Sequence, residues 1–191
     1  MKSILMSIKP KWVEKIASRE KTVEVRKTAP KCGTPFKVYM YCTYGRPLLM
    51  RSFFDGKSLF KFSGISNKNA KVIYDEELWN GKVVGEFVCD EILPVEVLDT
   101  GAVRNYHYYH LEQTNLSIDD IAKYIGKNKV GYALHISDLK IYDEPKELSE
   151  FRKNCDCFVD CLSCKRGKIG DLSCKGNITR PPQSWCYVEE I

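Results

Sequence analysis

Three charged side chains fall within six positions, Lys21, Glu24 and Arg26, in the run Lys21-Thr22-Val23-Glu24-Val25-Arg26. A carboxylate between an ammonium and a guanidinium can do two kinds of chemistry. It can hold a ligand, with Lys21 and Arg26 on a phosphate or carbonyl oxygen and Glu24 accepting from a base edge or buttressing Arg26. It can also activate a water, because a neighbouring ammonium and partial burial tune a pKa toward neutrality. The alternation of polar and apolar residues over 22–26 is the pattern of a half-buried strand. Thr22, Glu24 and Arg26 then share one face, and Val23 and Val25 point into the core. Lys21 stands at the junction, where a long side chain bends toward the polar face. The plain alternative is a solvated strand face with alternating charges.

The second constellation is cysteine. The chain has nine, and Cys155, Cys157, Cys161, Cys164 and Cys174 crowd into 20 residues. The Cys161-x2-Cys164 pair is the knuckle unit of zinc sites, because it lets two thiolates reach one ion at about 2.3 Å. Without a secretory leader such a crowd reads as a metal site rather than a disulfide framework. Cys155, Cys161, Cys164 and Cys174 are the expected ligands, with Cys157 as the substitute, since Cys155 and Cys157 point opposite ways in an extended chain. The segment carries few apolar residues, so metal binding would supply its folding energy. An iron–sulfur cluster suits the same ligands but is the rarer use of this spacing. A full shell of four leaves no open position, so the metal's expected role is structural. The i, i+3 pair His107 and His110 reads as ordinary surface histidine rather than as ligands.

These groups need elements to position them. Residues 3–8 read as a strand. Residues 10–19 read as a helix, with Pro10 in its first turn and Trp12, Val13, Ile16 and Ala17 as its apolar stripe. Strands follow at 21–27 and 36–44. Residues 45–82 read as a long basic loop insertion. Between Thr43 and Tyr74 it has six basic residues against one acid, with Phe53, Phe54, Phe60 and Phe62 among them. Such interleaving can track phosphates and stack bases. The alternative is a loop or hairpin whose aromatics pack on the body. A strand at 83–92 meets Pro94, which ends it or marks a sheet edge. A helix over about 117–125 starts at Ser117 as N-cap, with Asp119 and Asp120 in its first turn, and stops at Gly126. Strands at 132–136 and 139–142, a short helical turn at 144–151 and a final strand after Pro181-Pro182 complete the chain.

The pattern Lys21-x-x-Glu24-x-Arg26, after one strand and one helix, resembles the signature of the ASCH family, whose fold is PUA-like. The family motif is Gly-x-Lys-x-x-Glu-x-Arg, and Arg19 stands here where the family has glycine. The ending around Ile178-Thr179-Arg180 and Trp185-Cys186-Tyr187 is similar to phage and prophage ASCH proteins of Gram-positive bacteria. The resemblance implies an α+β fold: a mixed β-barrel of five to six strands with flanking helices, formed by 1–150 and 178–191. The cysteine-rich zinc-binding insertion would be 151–177. The resemblance also implies RNA or a modified nucleoside as ligand, held in a cleft lined by Lys21, Glu24 and Arg26. Some relatives are amidohydrolases of N4-acetylcytidine that use a lysine, a threonine nucleophile and a glutamate, and others are ribonucleases. Lys21 matches that lysine, Glu24 stands at the threonine position, and Glu112 is the carboxylate nearest the distal acid. An enzyme here would therefore use Lys21 and Glu24 to activate water.

Composition sets the remaining bounds. With 191 residues, 43% hydrophobic and 29% charged, the sequence reads as one domain with a small appendage. A net charge of +5 permits a polyanionic partner without demanding one. No stretch reaches the ~18 apolar residues of a membrane span. No signal peptide is evident, and a cytoplasmic location is expected.

Overall fold

All six residues of the first strand, β1 (Ser3–Ile8), are buried. Successive side chains point to opposite faces. Ile4, Met6 and Ile8 therefore enter one core cluster, and Leu5 enters another behind the sheet. The computed structural model describes residues 1–46, 48–54, 57–63, 76–104, 111–153 and 176–191, with only the backbone at 50–54, 57–63 and 76–77. The segments around Cys155, Cys157, Cys161, Cys164 and Cys174, and around His107 and His110, lie outside the described residues.

A parallel partner needs a crossover. β1 pairs parallel with β3 (Phe36–Cys42), and the crossover is made of α1 (Pro10–Ala17) and β2 (Val23–Arg26). Val13 and Ile16 of α1 are buried against the sheet, and Pro10 occupies the first turn. The helix ends at Ala17, two residues before the expected boundary, because Arg19 adopts the left-handed conformation at φ 63°. Then come β4 (Leu48–Phe54), β5 (Lys57–Ser63), β6 (Glu76–Leu78), β7 (Val83–Cys89), β8 (Ile92–Val97), β9 (Val103–Arg104), α2 (Ile118–Ile125), β10 (Lys129–His135), β11 (Ser137–Lys146) and β12 (Trp185–Val188).

Among the described residues the expected mixed α+β fold is present, no closed barrel is seen, and the strands lie in separate sheets. One is five-stranded and mixed, in the order β11-β7-β3-β1-β12, and one is four-stranded, β2-β10-β8-β9. β10 runs into β11 through Ile136 alone, which carries the chain from the second sheet to the first. β3 and β12 occupy the two edges of β1, so β2 has no strand to meet there and ends its own sheet as an edge. Val23 and Val25 pack with Val95, Val97, Ile121 and Ile125 in a cluster beneath α2. β8 runs through Pro94, and among the described residues β9 pairs with Glu96 and Val97 and none pairs with the proline on that side.

The stretch expected as a basic loop forms a third sheet, β5-β4-β6, whose first two strands pair antiparallel from Leu48↔Ser63 to Phe54↔Lys57. Asn80 ties its root to the body. The side chain accepts from the Leu49 N–H at 2.7 Å and donates to the Gly45 carbonyl at 3.0 Å. Beyond β11, Arg152 bridges Asn177, and the Lys153 N–H donates to the Gly176 carbonyl at 2.7 Å. Lys153 and Gly176 thus lie side by side. Among the described residues no helix is long and apolar enough to cross a membrane.

Candidate functional site

Between α1, α2 and the ends of β1 and β2 lies a cleft of about 520 Å³. Its size falls within the ~300–1,000 Å³ range of small-molecule sites. Lys21, Glu24 and Arg26 line it together. The strand register explains why, since Val23 and Val25 turn to the α2 cluster and leave Glu24 and Arg26 on the opposite face. That face is not a solvated one. Lys21 is 1%, Glu24 6% and Arg26 7% exposed.

Burying three charges is costly unless each is paired and hydrogen-bonded. Here they are. Lys21 Nζ donates to the Val23 carbonyl at 2.8 Å and the Thr114 carbonyl at 2.7 Å, and lies 3.3 Å from Glu24 Oε2. An ammonium has three hydrogens to give, and these three acceptors use them. It also sits 5.3 Å from the centre of the Trp12 ring. Burial lowers the Lys21 pKa, against the opposing pull of Glu24. Arg26 Nη2 lies 3.0 Å from Glu24 Oε1 and donates to the Ser7 carbonyl at 2.8 Å. Its Nε is buried and has no hydrogen-bond partner among the described residues. Glu24 thus spends one oxygen on each cation and keeps lone-pair capacity on both.

The sequence reading missed the segment that closes the site from outside the motif. The Gln113 carbonyl accepts from the backbone N–H groups of Thr22 and Val23, and Thr22 Oγ1 donates to Gln113 Oε1 at 3.1 Å. Thr114 is fully buried. Its hydroxyl donates to the Leu111 carbonyl at 2.6 Å and accepts from the Leu116 N–H at 3.2 Å, which fixes the peptide whose carbonyl holds Lys21. Nothing local to Lys21 signals a partner so distant in sequence. Glu112, the expected distal acid, is exposed and is not among the cleft's lining residues. Ser117 caps α2 as expected, accepting from the Asp120 N–H at 3.1 Å, and so places Asp120 and Tyr124 on the cleft wall.

Among the described residues no group of three or more His, Cys, Asp or Glu could hold a metal. The expected zinc ligands Cys155, Cys161, Cys164 and Cys174 lie outside that search. Cys32, Cys42, Cys89 and Cys186 are free thiols.

No family's sequence pattern matches this chain, and no curated protein matches it. Solved structures do. The crystal structure of ASCH from Zymomonas mobilis superposes with a TM-score of 0.54 at 17% identity, over 98% of this chain and 88% of that one. A tyrosine-to-phenylalanine mutant of that protein gives a TM-score of 0.55 at 17% identity, covering 100% and 92%. The chain has the ASCH fold. Within that fold the cleft described above is formed by the crossover after β1 and the face of α2. Arg19, where the resembling motif has glycine, holds the left-handed conformation that glycine takes without steric cost.

Proposed function

We propose that this chain is a member of the ASCH family, of the kind found in phages and prophages. It binds RNA or a modified nucleoside in the cleft lined by Lys21, Glu24 and Arg26. The observation that supports this most is the state of Lys21. Its donors are spent on the protein, so it stands behind Glu24 as a positioning residue. Glu24 and Arg26 are left to meet a ligand, one accepting and one donating, as the edge of a base requires. The basic arm formed by β4, β5 and β6 extends the footprint along a strand. Binding should therefore weaken steeply as salt rises. Absent or salt-independent binding of short RNAs and modified nucleosides would sink this reading.

A hydrolase of the ASCH type, N4-acetylcytidine amidohydrolase-like or ribonucleolytic, is the second reading. The spare lone pairs of Glu24 favour it, since they can take a proton from water. Glu112, exposed as it is, would have to move to join. Chromatographic assay of N4-acetylcytidine hydrolysis, with wild type and Lys21→Ala, separates the two. Turnover lost in the variant makes the protein an enzyme, and no turnover leaves binding ahead.

The proposal for 151–177 is a structural zinc on Cys155, Cys161, Cys164 and Cys174, supported by their spacing. Mass-spectrometric metal analysis should find one zinc per chain, lost in Cys161→Ser. Iron in its place, or no metal, overturns it. A cytoplasmic site of action fits a reduced zinc–thiolate shell.

A further inference from the structure

We propose that the rim of the cleft is a phosphate subsite made by Lys9 and Lys11, so that the cleft takes a nucleotide or an RNA strand rather than a free nucleoside. This rests on the reading above that the floor holds a base.

Floor and rim ask for different chemistry. At the floor Glu24 is shared by two cations, and Arg26, more than nine-tenths buried, keeps an Nε with no partner among the described residues. A wholly anionic ligand would press against Glu24. A neutral head with both donors and acceptors would not. The walls offer it aromatic surface, Trp12 from α1 and Tyr124 from α2. The rim is cationic. Lys9 and Lys11 are exposed, line the cleft and form no ion pair among the described residues. Lys11 Nζ lies 4.6 Å from the Trp12 ring centre, which keeps its charge beside the wall where a base would lie. The acid lining the rim is Asp120, and the Ser117 hydroxyl already donates to it at 2.8 Å.

The start of α1 does not supply this site by itself. Pro10 has no N–H, and the N–H groups of Trp12 and Val13 are taken by the Lys9 carbonyl at 2.8 and 3.0 Å. The anion must be held by the two side chains. A molecule with a neutral heteroaromatic head and an anionic tail satisfies floor and rim together. A nucleoside leaves both lysines unused.

The test is titration calorimetry of cytidine, N4-acetylcytidine and their 5′- and 3′-monophosphates. It compares wild type with the Lys9→Gln/Lys11→Gln double variant, whose changes are on the surface. The expected result is a monophosphate bound about 10-fold or more tighter than its nucleoside, with affinity falling more steeply in salt. In the double variant the monophosphate drops to the level of the nucleoside, and nucleoside affinity is unchanged. Equal binding of the two forms by wild type overturns the subsite alone, as does an equal loss of both in the variant. If neither form binds, the floor reading falls as well. Glu24→Gln marks the floor independently, since it should weaken nucleoside and monophosphate by the same factor.

Discussion

Lys21 Nζ donates a 2.7 Å hydrogen bond to the carbonyl of Thr114, 93 residues further along the chain. That bond closes the floor of the cleft, because the same ammonium holds Glu24 and the same loop holds the start of β2. Replacing Lys21 with methionine keeps much of the volume and removes every donor. The Thr114 and Val23 carbonyls then lose a partner, and Glu24 keeps only Arg26. Breaking a buried pair from one side costs about 3–5 kcal/mol. Lys21→Met should therefore lower the unfolding free energy by an amount in that range, read as a lower urea midpoint with the slope unchanged. A loss under about 1 kcal/mol would mean that water replaces the ammonium, and that the triad is less enclosed than its burial indicates.

Arg19 makes the opposite case. Its φ of 63° lies in the left-handed region, which costs a residue with a Cβ about 1–2 kcal/mol. Glycine gives part of that back as extra freedom in the unfolded chain, about 0.4–1 kcal/mol. Arg19→Gly should then stabilise the protein by roughly 0.5–1 kcal/mol. It leaves the cleft untouched, because Arg19 is exposed and not among its lining residues. A destabilised variant in thermal unfolding would contradict the argument from conformation and point to a contact of the arginine side chain.

These two residues mark what the sequence could and could not say. The alternation of Val23-Glu24-Val25-Arg26 was enough to separate the two faces, since strand period is a local property. Burial of the polar face was not legible. It depends on α1, the Ser7 carbonyl and the 111–116 segment arriving from distant parts of the chain. Over the arm, Pro47, Gly56, Gly64 and Gly81 punctuate the pattern and leave a long loop and a hairpin both open. Asp55-Gly56 between Phe54 and Lys57 is a hairpin signal that could have found the β4–β5 pair. The division of the described strands into separate sheets follows from pairing choices at β1, which no single strand encodes.

The root of the arm rests on Asn80, which is 4% exposed. Its carbonyl oxygen accepts from the Leu49 N–H at 2.7 Å, and its amide reaches the Gly45 and Thr43 carbonyls at 3.0 and 3.4 Å. Asn80→Ala strands a backbone donor beside buried Leu49. Leaving such a group unsatisfied costs about 1–3 kcal/mol. The expected outcome is a loss of that size, with faster proteolytic cutting within 45–78 than in the body. Uniform cutting would show that the arm and the body unfold together.

Alkaline pH should weaken the fold through groups far from the cleft. Burial pushes the Cys42 and Cys89 thiols from 9.0 up to about 12, and Tyr41 from 10.0 up to about 12. In the unfolded chain these groups lose their protons at about 8.5 for cysteine and about 10 for tyrosine. Between those values and about 12, the folded state binds more protons than the unfolded one. Stability then falls as pH rises. Lys21 acts in the other direction: burial places its folded pKa below 10.5, so the unfolded state binds the extra proton and stability rises with pH up to that value. The cysteines and tyrosine outnumber it, so urea midpoints should decline from about pH 9 upward. Cys42→Ala should flatten the decline, and Lys21→Met should steepen it below pH 10.5. A midpoint that stays level or climbs through this window would show that these thiols and Tyr41 reach water in the folded protein.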